Sequence, residues 1–120
     1  MDQALINKFH REHGDQMRRV YWNHVQLNAN MKFKHYEFVR KICEHVFWEL
    51  GMNFATEYYS KYKNRFDIVV PELPKPFIEI MYSEKPNQMS AKLSKLPKEL
   101  RSQVIIFDAK YGTFEAKELL

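Results

Sequence analysis

A single cysteine, Cys43, leaves no partner for a disulfide within the chain and fits a reducing compartment. Glycine is nearly as scarce, with three in 120 residues. Neither GxGxxG nor GxxxxGK[ST] occurs, which excludes the two common glycine-rich phosphate loops. No apolar stretch approaches the roughly 20 residues of a membrane span. The most prominent is Val104-Ile105-Ile106-Phe107. The N-terminus, MDQALINKFHREHGDQ, puts charges and histidines where a secretory signal needs an apolar core. Zinc spacings are missing too. His10, His13, His24, His35, His45 and Cys43 form no C-x₂-C and no HExxH. These absences lead us to expect a soluble, intracellular (cytoplasmic) domain with no membrane partner.

The composition is that of a globular domain, with 45% apolar and 28% charged residues. The chain can bury a core without staples. Net charge is +4, unevenly spread. Between residues 66 and 84, Lys75 faces Asp67, Glu72, Glu79 and Glu84, and the segments on either side are basic. A basic surface collects phosphates, and an acidic pocket of hard oxygens collects Mg²⁺.

Periodicity divides the chain. Leu5, Ile6, Phe9, His13, Met17, Val20, Tyr21, His24 and Val25 recur at roughly helical spacing, so a helix is expected over 2–28, weakened at Gly14. A second helix is expected from about Lys34 to Leu50. Phe38, Val39, Ile42, Val46 and Leu50 form its buried stripe, and Gly51 stops it. Three β segments follow: Asn53–Tyr59, Phe66–Val70 closed by Pro71, and Phe77–Tyr82. A helical stretch over Met89–Leu100 then leads to a buried strand at Gln103–Asp108, with a tail over Thr113–Leu120. Apolar residues on both faces of the second and third strands predict a sheet covered on both sides. The fold expected is α/β: a central mixed four-stranded sheet flanked by helices, residues 31–120, with an N-terminal helical extension, residues 1–30.

Two carboxylates stand out. Asp67 lies inside Phe66–Val70, and Glu79 lies between Ile78 and Ile80. A buried carboxylate is costly unless hydrogen-bonded, paired or bound to a metal. Two on neighbouring strands repel, and a divalent cation is a natural compensation. The alternative is that they point out at a sheet edge, or pair with Arg65 or a helix lysine.

The succession helix, strand, R-F-D-I-V-V, short loop, F-I-E-I-M, helix, strand resembles the core of the restriction-endonuclease-like superfamily, the PD-(D/E)xK nucleases. In outline it is most similar to small archaeal or viral Holliday-junction-resolvase-like nucleases. The resemblance covers about residues 34–110. It implies that Asp67 and Glu79 hold Mg²⁺ or Mn²⁺ and that the substrate is DNA, with a homodimer as the form in which two strands are cut. Glu37 or Glu44 of the helix, or Glu57 of the first strand, would add a metal-binding acid. The lysine expected two residues after the second acid is replaced by Met81, whose thioether cannot orient a proton. Lys85 or Lys92 would have to supply it from the following loop or helix.

Two further groups of residues bear on nucleic acid. Lys61, Lys63 and Arg65 alternate with Tyr58, Tyr59 and Tyr62, as in surfaces that hold phosphates and stack on unpaired bases. Lys92 and Lys95 fall near one face of the crossover helix. Ordinary hairpin composition and a solvated helix face are the plain alternatives. Three functions follow: a metal-dependent DNA endonuclease, a nucleic-acid-binding domain on a degenerate nuclease fold, or a protein-interaction module with its acids salt-bridged.

Overall fold

A computed structural model describes residues 2–27, 31–81 and 86–109. The tail expected over Thr113–Leu120 lies outside them. Helix α1 spans Gln3–His13 and α2 spans Phe33–Glu44, continued by a wider π turn over His45–Glu49. Strands β1 (Ala55–Tyr59), β2 (Arg65–Val69) and β3 (Phe77–Met81) follow. Helices α3 (Pro86–Leu93) and α4 (Lys98–Arg101) then cross over to β4 (Val104–Asp108). The sheet order is β1-β2-β3-β4. The first two pairings are antiparallel and the last, β3 with β4, is parallel. A parallel neighbour requires a crossover connection, and α3 and α4 provide it. This is an α/β domain with a mixed four-stranded sheet.

Both faces of the sheet are covered, as the doubly apolar strands predict. On one face α2 lays Phe38, Val39 and Ile42 against Ile68, Val70, Ile78, Ile80 and Phe107. On the other, Phe9 of α1 joins Leu96 and Leu100 against Ala55, Tyr58, Phe66, Val69 and Phe77. Strict alternation fails in one place. Phe66 and Val69 sit in the same cluster although three residues apart, as do Ala55 and Tyr58 on β1. The pairs Thr56–Ile68 and Tyr58–Phe66 bracket Glu57 and Asp67, so both irregularities fall on one row of the sheet. Glu57 takes a left-handed backbone there, φ 51°, a conformation that side chains with a Cβ rarely adopt.

The helix expected over 2–28 ends at His13. Gly14 turns extended and makes a single antiparallel bridge to Ser60. A side chain at Gly14 would collide with the His10 ring and come within 2.6 Å of the Tyr58 hydroxyl. Beyond it Val20, Trp22 and Val25 pack against the two cores, and polar contacts tie the segment to β1 and the residue before it. Asn23 donates its N–H to the Phe54 carbonyl at 2.7 Å and accepts from Phe54 N–H at 3.0 Å. Gln26 N–H donates to Thr56 Oγ1 at 2.9 Å. A segment expected to be helical thus runs beside the outer strand. The second helix is as expected in place and face, and Gly51, with φ 65°, ends it.

Candidate active site

The row that breaks the alternation carries the acids. Residue pairs Val69–Phe77 and Ile68–Ile78 set the β2–β3 register, and the next pair in that register is Asp67 and Glu79. Asp67 Oδ2 accepts the Ile80 N–H at 2.8 Å, so a side chain satisfies a buried backbone donor of the neighbouring strand. Its Oδ1 lies 3.6 Å from Nε2 of His35, at the start of α2. Glu79 is fully buried. Its Oε2 accepts from Lys92 Nζ at 3.0 Å, and its carboxyl shares a hydrogen bond with that of Asp67.

The two carboxyls are pushed in opposite directions. Burial would raise Asp67, but hydrogen bonds from His35 and the Ile80 amide outweigh it and hold the group below the usual aspartate range. Burial and the Asp67 charge push Glu79 up to about 8, against the pull of Lys92. Lys92 loses that contest for a physical reason. Its side chain is 38% exposed, so water screens its charge, whereas the Asp67 side chain is only 10% exposed. One acid is therefore ionised and the other protonated near neutrality, a division that marks acid–base sites as well as buried ion pairs.

The remaining acids separate by position. Glu57 lies beside Asp67 in the row, and its carboxylate turns to Arg65 Nε at 2.8 Å. Burial raises it, with Arg65 opposing. Glu37 and Glu44 are out of phase with the buried stripe of α2. Glu37 is half-buried, and Glu44 is exposed and paired with Arg40 at 2.5 Å. Neither comes to the Asp67–Glu79 pair on the face that carries His35. Among the described residues, no three His, Cys, Asp or Glu side chains gather as a metal-holding group.

Of the lysines, Lys92 reaches the acids and Lys95 is exposed. Lys85 lies outside the described residues. Met81 is half-buried at the end of β3, opposite Asp108 of β4. The tyrosines interleaved with Lys61, Lys63 and Arg65 are not equivalent. Tyr58 is buried with its hydroxyl 2.9 Å from His10 Nδ1, and Tyr62 pairs with His13 Nδ1 at 3.1 Å. Tyr59 alone of the three is exposed. Lys61 and Lys63 are exposed in the β1–β2 turn.

His35 is the residue that composition and motif spacing miss. Its signal was helical phase, because positions 35, 38, 39, 42 and 46 share one face of α2. No protein-family model, curated protein or solved structure matches this chain. Among the described residues, no helix is long and apolar enough to cross a membrane.

Proposed function

We propose that this protein is a metal-dependent endonuclease that hydrolyses phosphodiester bonds of DNA, on a core like that of the restriction endonucleases. One observation carries the reading: three elements bring Asp67, Glu79 and Lys92 to one point, with the lysine arriving from the crossover helix. Lys92 stands in for the lysine that Met81 replaces.

The residues fit a hard divalent cation. Mg²⁺ is bound through one or two carboxylates and completes its shell with water and substrate phosphate. Asp67 and Glu79 are two such carboxylates, buried against each other so that one of them holds a proton where a cation could take its place. Mg²⁺ or Mn²⁺, when bound, supplies Lewis-acid stabilisation of phosphoryl charge and a more acidic water. The chain supplies the rest. Asp67 is kept ionised and fixed in direction by the Ile80 amide. To serve as a ligand, Glu79 would have to release its proton to solvent. Lys92, half in water, orients the attacking water and neutralises charge on the phosphate.

Labelled duplex, single-stranded, flapped and four-way DNA, incubated with Mg²⁺, Mn²⁺ or EDTA, test the reading. Metal-dependent cleavage lost in Asp67→Asn and Glu79→Gln is the expected result. The second reading, a domain that binds nucleic acid without cutting it, is favoured by the absence of a third metal-ligating group among the described residues. It predicts retained binding and no turnover in any arm.

A further inference from the structure

A second charged feature lies across the β1–β2 hairpin. Residues 13–15 run beside residues 59–61, joined by hydrogen bonds from Asp15 N–H to the Tyr59 carbonyl at 3.0 Å and from Lys61 N–H to the His13 carbonyl at 2.9 Å. Around this contact lies an open groove lined by Arg11 and Arg18 of the N-terminal segment and by Lys61, Lys63 and Arg65 of the hairpin. The one acid among the lining residues, Asp15, accepts the Met17 N–H at 2.9 Å and so closes a turn. Among the described residues, no ion pair involves Arg11, Arg18, Lys61 or Lys63. Five cationic side chains around one groove face a single carboxylate, Asp15, and the excess positive charge attracts an anion.

The groove has an aromatic element as well. Tyr59 lines it and is 38% exposed, and the Arg18 guanidinium sits 4.0 Å from the ring centroid. A ring and a planar cation, bordered by further cations, form a stacking platform for a base whose phosphates the lysines hold. An exposed ring that can stack on a base face favours a strand whose bases are unpaired over a double helix. One residue links the groove to the carboxylate row: Arg65 lines it and pairs with Glu57, the neighbour of Asp67 in the sheet.

We propose that this groove binds a single strand of nucleic acid, with Arg11, Lys61 and Lys63 on its phosphates and Tyr59 with Arg18 under a base. The proposal rests on the endonuclease reading only for where the strand leads, toward the carboxylate row. Arg11 and Arg18 come from the N-terminal segment, so that segment becomes part of the substrate surface.

The test measures binding of a fluorescein-labelled dT₁₂ strand, a 12-base-pair duplex and inorganic polyphosphate to the full chain in EDTA, where no metal-dependent cleavage occurs. The wild type is compared with a triple variant, Arg11→Gln, Lys61→Gln and Lys63→Asn, and with Tyr59→Leu. Asparagine is chosen at 63 because the backbone there has φ 61°. All three charged side chains are exposed, and thermal melting confirms that each variant folds. The expected result is that dT₁₂ binds more tightly than the duplex. The triple variant should weaken dT₁₂ at least tenfold and flatten its salt dependence by about 2 in log–log slope, three charges at about 0.7 each. Tyr59→Leu should weaken dT₁₂ and leave polyphosphate unchanged. Unaltered dT₁₂ binding in the folded triple variant overturns the proposal, and so does preference for the duplex. Polyphosphate bound as well as dT₁₂, with Tyr59→Leu silent for both, would reduce the groove to a general anion site and also overturn it. Wild-type protein that binds dT₁₂ through these residues but cleaves nothing with Mg²⁺ or Mn²⁺ would refute the endonuclease and leave the groove standing.

Discussion

Replacing Glu79 by Gln should make the metal-free protein's stability less dependent on pH. Folded Glu79 holds its proton up to about pH 8, against an ordinary 4.5, because it is buried beside ionised Asp67. The folded state therefore binds more protons than the unfolded state between those values. The stabilisation is complete below about pH 4.5, falls through the interval and is gone above about pH 8. Inside the window the slope is about 1.4 kcal/mol per pH unit. An unfolding entropy of about 2.1 cal/mol/K per residue makes 1 kcal/mol worth about 4 °C in a chain this size. Glu79 should thus lower the melting temperature by about 5 °C per unit between roughly pH 5.5 and 7.5. His10 and His13 act with the opposite sign, because burial lowers them and their contribution grows as pH rises toward 6.5. Glu79→Gln retains both histidines, so the difference between wild type and variant isolates the carboxyl. The assay is thermal melting of both proteins in EDTA at half-unit intervals. A wild-type-minus-variant difference that stays level from pH 5.5 to 7.5 would refute the inference that Glu79 is protonated in the fold.

The same pair governs the other expectations. Asp67→Asn should reduce metal-dependent cleavage at least 100-fold, about 2.7 kcal/mol of transition-state stabilisation, with nucleic-acid binding retained; single-turnover cleavage and anisotropy measure the two. Lys92→Met should lower cleavage and, because it removes the one group that pulls the Glu79 carboxyl down, move the rising limb of the residual pH–rate profile to higher pH. Saturating Mn²⁺ should raise the melting temperature more at pH 8 than at pH 6, since at pH 6 the metal must displace a proton, and Asp67→Asn should abolish the rise. Gly14→Ala should cost about 1–3 kcal/mol in urea unfolding, because the new methyl group collides with His10 beneath its bond to Tyr58.

The strands were legible because their signals are local. Phe66–Val70 and Phe77–Tyr82 are apolar on both faces and end at proline or polar residues, so each needs a covered sheet. Asp67 and Glu79 were legible for the same reason: an acid among β-branched neighbours has no water to face. The failure over residues 14–27 is instructive. Met17, Val20, Tyr21 and Val25 imitate helical spacing, but only Val20 and Val25 pack on the core, and Asn23 on Phe54 and Gln26 on Thr56 hold the segment extended by contacts across about 30 residues that no short window contains. Glu37 and Glu44 could have been set aside by phase alone, being seven apart on the face opposite Phe38, Val39 and Ile42. Arg11 and Arg18 carried no local signal. They acquire a role only when the fold lays residues 13–15 against 59–61.

That pairing also settles how an edge strand is kept from other chains. The outer side of β1 offers unpaired amides and carbonyls, a template for aggregation or strand exchange. Asp15 takes the Tyr59 carbonyl at one end of it, and Asn23 holds the amide and carbonyl of Phe54 just before the other. Because this segment precedes β1 in the chain, it has already left the ribosome when β1 emerges, and the edge can be covered as soon as it forms. A circular permutant that moved the same segment behind β4 would keep every contact of the native sheet. During synthesis, however, its β1 would wait uncovered until the end of translation.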